Sequence, residues 1–176
     1  MEAQRGERLG IASNGKAVFF SYSHKDETLR DELENHLKLL VREKVIAVWH
    51  DRKILPGTEW GGEIDRHLEQ AKIILLLISA DFIASEYCWG KEFNRALERH
   101  ESKQAVVIPI ILRACDWSSS PFGKLQGLPR DMKPVTAWTD RDSAWTDVAL
   151  GIRAIAESVN KLESERLQQK REETIH

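Results

Sequence analysis

Ile73-Ile74-Leu75-Leu76-Leu77-Ile78, followed by Ser79-Ala80-Asp81, is the most apolar stretch of this 176-residue chain. Six aliphatic residues without polar alternation predict a strand covered on both faces, as in a parallel sheet between two helical layers. Upstream, Ala17-Val18-Phe19-Phe20 and Val45-Ile46-Ala47-Val48-Trp49 read the same way, and downstream so does Val106-Val107-Ile108-Pro109-Ile110-Ile111-Leu112. Pro109 removes one ladder donor from that last strand and predicts an edge position or a bulge. Pro134-Val135-Thr136-Ala137-Trp138 is expected to add a short fifth strand. Helical spacing fills the intervals. Leu29, Leu33, Leu37 and Leu40 form one stripe behind Asp26 as N-cap, and Trp60, Ile64 and Leu68 form a second. A third helix is expected from about Tyr87 to His100, capped by Ser85, and Ile152, Ile155, Val159 and Leu162 mark the last. Strands alternating with helices predict an α/β fold with right-handed crossovers and helices on both faces.

The composition narrows the class. Lys and Arg number 26 against 28 Asp and Glu, a net charge of −2, which argues against direct nucleic-acid contact or an anionic-membrane surface. Hydrophobic residues make up 41% and charged residues 31%, enough apolar material for a single buried core. No apolar run approaches the roughly 20 residues of a membrane-spanning helix, and the first residues lack the apolar stretch of a secretory signal. Cys88 and Cys115 are too few for a disulfide framework or a cysteine-based zinc site. A cytoplasmic domain is expected over 16–160, between a polar lead at 1–15 and a charged helical extension or linker at 161–176.

In open parallel sheets, ligands bind beyond the carboxyl ends of the strands. Three segments stand there: Ser21-Tyr22-Ser23-His24-Lys25-Asp26; Trp49-His50-Asp51-Arg52-Lys53-Ile54-Leu55-Pro56-Gly57-Thr58-Glu59-Trp60; and Ser79-Ala80-Asp81-Phe82-Ile83-Ala84-Ser85-Glu86-Tyr87-Cys88-Trp89-Gly90-Lys91-Glu92. Together, and in this order, they resemble the Toll/interleukin-1 receptor (TIR) domain, particularly its bacterial branch. The first resembles the family's opening box, the second its strand-B segment and BB loop, and the third the element that carries the catalytic Glu of enzymatic members. The resemblance covers roughly Lys16 to Ser158. It implies a flavodoxin-like three-layer sandwich with five parallel strands in the order 2-1-3-4-5. It also implies either of two functions, cleavage of NAD+ between nicotinamide and ribose or non-catalytic assembly of signalling scaffolds.

Glu92, at the position of the family's catalytic Glu, favours the enzyme. Some members carry Trp four residues earlier, where this chain has Cys88, and the adjacent Trp89 is turned about 100° away on a helix. Nicotinamide leaves as a neutral molecule, so the reaction needs a carboxylate facing an oxocarbenium-like ribose rather than a metal. The other reading of Glu92 is a surface residue paired with Arg95. Phe20, Ser21, Tyr22, Trp49, Trp60 and Cys88 are the candidate substrate-binding residues, although strand-end packing and core burial explain several of them equally well. Asp51, Arg52 and Lys53 are placed to meet the ribose, the phosphates or a neighbouring subunit, or to form a solvated charged turn. Cys88 reads as a structural thiol, because no His is placed as its base. No metal or cofactor is expected, NAD+ being the substrate.

Ile54, Leu55, Pro56 and Gly57 are expected at a TIR–TIR interface, since the resemblance implies activation by self-association. A sensor domain or partner protein is expected to supply the signal, in a role such as bacterial antiphage defence. The product, ADP-ribose or a cyclic form, is left open. The rival reading is a non-catalytic interaction module, scaffold or host-signalling mimic, and Glu92 discriminates the two.

Overall fold

The computed structural model describes residues 15–49 and 60–175. Four parallel strands, β1 (Lys16–Ser21), β2 (Ile46–Val48), β3 (Ile73–Ile78) and β4 (Val106–Ile111), form a sheet in the order β2-β1-β3-β4. The register pairs Phe20 with Leu75 across β1–β3 and Leu75 with Ile108 across β3–β4. All six residues of β3 are buried, as its unbroken apolar run demands. Each contributes roughly 2 kcal/mol of apolar burial before entropy is counted.

Helices cover both faces. On one side Val18, Phe20, Leu75, Leu77 and Ile110 pack under α1 (Glu27–Arg42) and α5 (Arg141–Thr174), with Leu33, Leu37, Trp145 and Ile152 in the same cluster. On the other, Phe19, Ile74, Leu76 and Ile78 meet Ile64 and Leu68 of α2 (Trp60–Gln70), Phe82 of α3 (Ala80–Ala84) and Phe93 and Ala96 of α4 (Phe93–Glu101). β1 contributes alternate residues to both clusters, so its carboxyl end opens between the two layers.

The fifth strand expected at Pro134–Trp138 does not form. Val135–Ala137 is a 3₁₀ turn, with Val135 buried against the α1–α5 face and Thr136 N–H bonded to the Leu112 carbonyl. Pro134 cannot donate to a ladder, and the place beside β4 is taken by Leu128. Leu128 forms a single parallel bridge to Ile110, with its N–H on the Pro109 carbonyl (2.8 Å) and its carbonyl accepting from Ile111 (2.9 Å). The preceding Gly127 lets the chain approach this closely, because a Cβ there would meet the Pro109 oxygen at 2.7 Å. Pro109 directs its carbonyl to this outer side, so its missing N–H costs no bond to β3 and the expected edge position is what the structure shows.

The C-terminal helix α5 is buried at Ala144, Trp145, Val148, Ile152 and Ala156 and continues to Thr174, with the side chains from Ser164 onward exposed. Lys16, at the start of β1, forms an ion pair with Glu163.

Candidate functional site

The site begins at the carboxyl end of β1, where successive side chains point to opposite layers. Ser21, 1% exposed, lies on the α2–α4 side and donates its hydroxyl to Oε2 of Glu92. Glu92 is itself only 6% exposed. Its position comes from a local departure from the α-helix. Residues Cys88–Glu92 form one wide π turn, closed by the Phe93 N–H reaching back to the Cys88 carbonyl. Such turns add a residue per turn and recur at functional sites. Here the wide turn sends Cys88 and Glu92 to the cleft while Trp89 stacks on Phe93 on the far side (5.0 Å between centroids, 3° apart). Phe122 meets both rings edge-on. Trp89 is therefore half-buried against the core and turned from the cleft, in keeping with its helical phase. Arg95 pairs with Glu69 and Glu98, so the reading of Glu92 as its surface partner is replaced by the Ser21 contact.

The cleft has a volume of about 400 Å³. That size suits a small-molecule site. Phe20, Tyr22, Trp49 and Cys88 all line it together with Glu92. Trp49 is held flat between Phe19 (6.2 Å) and His67 (3.9 Å, 15° apart). Cys88 donates its thiol to the Tyr22 carbonyl at 3.3 Å, and burial, reinforced by the Glu92 charge, pushes that thiol above its ordinary value. A protonated, hydrogen-bonded thiol is a structural group and a poor nucleophile. Burial beside Glu92 also pushes the Tyr87 phenol up to about 12, so it stays neutral in the cleft wall. Ser85 caps the turn as expected, accepting from the Cys88 N–H at 3.3 Å. Asp51, Arg52, Lys53, Ile54, Leu55, Pro56 and Gly57 lie outside the described residues, as does the side chain of Trp60, which opens α2.

Several residues at the site carry no obvious sequence signal. Asp26 occupies the N-cap position of α1 but makes no capping bond with its side chain. Instead its buried carboxylate accepts from the Ser79 hydroxyl and from Arg113 Nε at 2.9 Å. Arg113 also reaches Asp81 at 2.5 Å, and the Asp81 carboxyl is held below its usual value by that bond. The ends of β1, β3 and β4 are thereby tied together, and the intervening turn presents His24 and Lys25 to the cleft. Arg30, buried within the leucine stripe of α1, also reaches the cleft, and only its i,i+4 spacing to Glu34 hints at this in the sequence.

The family model for the TIR domain matches residues 18–149. The chain belongs to the TIR domain family. This TIR domain is 55% identical over 148 residues to the uncharacterized protein y4lF of Sinorhizobium fredii, covering 84% of this chain and 46% of that protein. It is 25% identical over 97 residues, 55% of its length, to 6% of the probable disease resistance protein At4g19520 of Arabidopsis thaliana. It thus spans about half the length of the first relative and a small part of the second. Its fold matches the TIR domain of the Toll-related receptor TRR-2 from Hydra magnipapillata (TM-score 0.52, 21% identity, 78% of this chain and 98% of that one). The order β2-β1-β3-β4 is the expected TIR order with its fifth position reduced to the Leu128 bridge. Among the described residues no helix is long and apolar enough to cross a membrane.

Proposed function

We propose that this TIR domain is an NAD+ glycohydrolase that releases nicotinamide and leaves ADP-ribose or its cyclic form. The observation that carries the reading is Glu92: a carboxylate buried at the inner end of an aromatic cleft and fixed by the Ser21 hydroxyl. An ionisable group is buried at a cost of several kcal/mol. Its position in the cleft lining suits a positive charge that arrives with the substrate and moves during reaction.

In this reading the nicotinamide–ribose C–N bond breaks heterolytically and its electron pair leaves with the pyridine ring, which becomes neutral nicotinamide. The positive charge passes to the ribose, where the Glu92 carboxylate faces it and accepts hydrogen bonds from ribose hydroxyls. Stabilisation that grows as charge develops lowers the barrier rather than the ground state. Water then adds at the anomeric carbon and loses its proton to solvent, or an adenine nitrogen adds instead and closes the cyclic product. Tyr22 offers a ring face for a flat heterocycle, and Trp49, stacked on Phe19 and His67, lines the same cleft. Asp51, Arg52 and Lys53 would extend the substrate site, and Ile54, Leu55, Pro56 and Gly57 would join it to a second copy, so that self-association activates the enzyme under a sensor domain or partner.

The test is nicotinamide release from NAD+ by the native chain and by Glu92→Gln and Glu92→Ala, at high protein concentration. Loss of at least roughly a hundredfold in both variants is expected, the scale of one preorganised electrostatic group. Equal release by native and variant chains would end this assignment. Release by none of them, with assembly shown by sedimentation, would instead favour a scaffold.

A further inference from the structure

The face of the cleft across from Glu92 contains a charge that neither the fold nor the chemistry above uses. Arg30 stands in α1 among Leu29, Leu33 and Leu37, and its side chain is 2% exposed. A leucine or methionine would fill such a position without the penalty of burying a guanidinium. The guanidinium carbon lies 5.1 Å from the Phe20 ring centroid and 5.5 Å from that of Tyr22, within cation–π range of both. Nη1 is anchored to Glu34 Oε2 at 2.7 Å and to Asp31 at 3.2 Å. Phe20 near the end of β1 and Tyr22, one residue beyond the strand, pack into the same layer, and both line the cleft. The main chain of Tyr22 is tied to the opposite layer, since its carbonyl accepts the Cys88 thiol.

We propose that Arg30 is a positioning residue that fixes the Phe20–Tyr22 wall of the cleft, so that a flat substrate ring meets a preset surface while Glu92 acts from the other layer. The proposal rests on the NAD+ reading for its kinetic consequence but not for its structural one. Arg30 acts through two rings that would touch substrate in its ground and transition states alike, so its loss weakens binding without slowing the chemical step. A rigid wall lowers the ordering cost of binding, and a mobile one restores that cost.

The experiment compares native chain, Arg30→Met and Arg30→Lys by steady-state nicotinamide release and by NMR of chains carrying ¹³C-labelled tyrosine rings. The chain has only two tyrosines, Tyr22 and Tyr87, so the spectrum is readily assigned. In Arg30→Met, the Tyr22 ring is expected to flip faster than in the native chain while Tyr87 is unchanged. KM is expected to rise roughly tenfold with kcat within about twofold, and Arg30→Lys to recover part of the change. Glu34 retains Lys38 at 3.0 Å in these variants, which keeps it from being stranded. If Arg30→Met does not fold, Glu34→Gln loosens the guanidinium with the arginine in place, and the same two readouts apply. Unchanged Tyr22 motion together with unchanged KM would overturn the proposal, as would a fall in kcat at constant KM. Absence of nicotinamide release by the native chain would refute the NAD+ reading alone, and the Tyr22 ring motion would then decide the role of Arg30.

Discussion

Replacing Ser21 by alanine isolates the contact on which the proposed chemistry turns. The hydroxyl is 1% exposed and donates to a carboxylate that is 6% exposed, so neither partner has bulk water to replace the other. A hydrogen bond to a charged group contributes about 1.5–3 kcal/mol net. At about 1.4 kcal/mol per tenfold, full expression of that energy in the transition state corresponds to a loss of roughly 10- to 150-fold in kcat. The loss belongs to kcat because the hydroxyl orients Glu92 and does not itself contact the rings of the cleft wall. The alanine leaves only a one-atom void, so the loss of stability in urea unfolding is expected to be set by the bond itself, about 1.5–3 kcal/mol. Nicotinamide release across a range of NAD+ concentrations, with urea unfolding of the same preparations, measures both quantities. A Ser21→Ala chain with kcat within twofold of native, beside an inactive Glu92→Ala, would refute the claim that this hydroxyl holds the carboxylate for catalysis.

Three further outcomes test the packing around the site. Arg99 is 4% exposed and donates to the carbonyls of Leu68 (2.5 Å) and Ala71 (2.7 Å), so Arg99→Met uncaps the C-terminus of α2 and should lower stability by about 2–3 kcal/mol in urea unfolding. An unchanged midpoint would contradict that capping role. The Asp81 carboxyl is held below its ordinary value by the Arg113 hydrogen bond, so its contribution is complete above the unfolded-state value near pH 4 and is lost as pH falls through the lower folded-state value. Thermal stability should therefore fall below about pH 4, less steeply in Arg113→Leu, and parallel profiles for the two chains would disprove the link. Burial raises both thiols, so exposure decides: iodoacetamide at neutral pH should modify Cys115, which is partly exposed, faster than buried Cys88, as read by peptide mass spectrometry. Faster modification of Cys88 would show that the cleft thiol is activated.

The strands were legible because their burial on both faces leaves continuous apolar runs, and Ile73–Ile78 is the plainest case. The fifth strand was not, because Pro134–Trp138 has strand-like composition yet its N–H groups close a 3₁₀ turn, while Leu128, in a stretch that reads as loop, takes the edge. The short helix α3 went unseen since five residues carry too little periodicity, although Ser79 caps it through the Phe82 N–H at 3.1 Å. Asp26 fits an N-cap by position, but a tertiary partner, Arg113, lies 87 residues away and outbids local geometry for its carboxylate. Glu92 was found through the order of three strand-end segments. Its Ser21 partner lies 71 residues distant, and no spacing rule links the two. Arg30 was hidden by its neighbours, because a charge at a buried stripe position reads as an exposed flank until the fold supplies the rings beneath it.

The most direct measurement is chromatography of NAD+ incubated with the native chain at high concentration, with assembly followed in the same sample by sedimentation. Nicotinamide appearing in equal amount with ADP-ribose or its cyclic form is the predicted result. An assembled chain that leaves NAD+ intact would contradict the account.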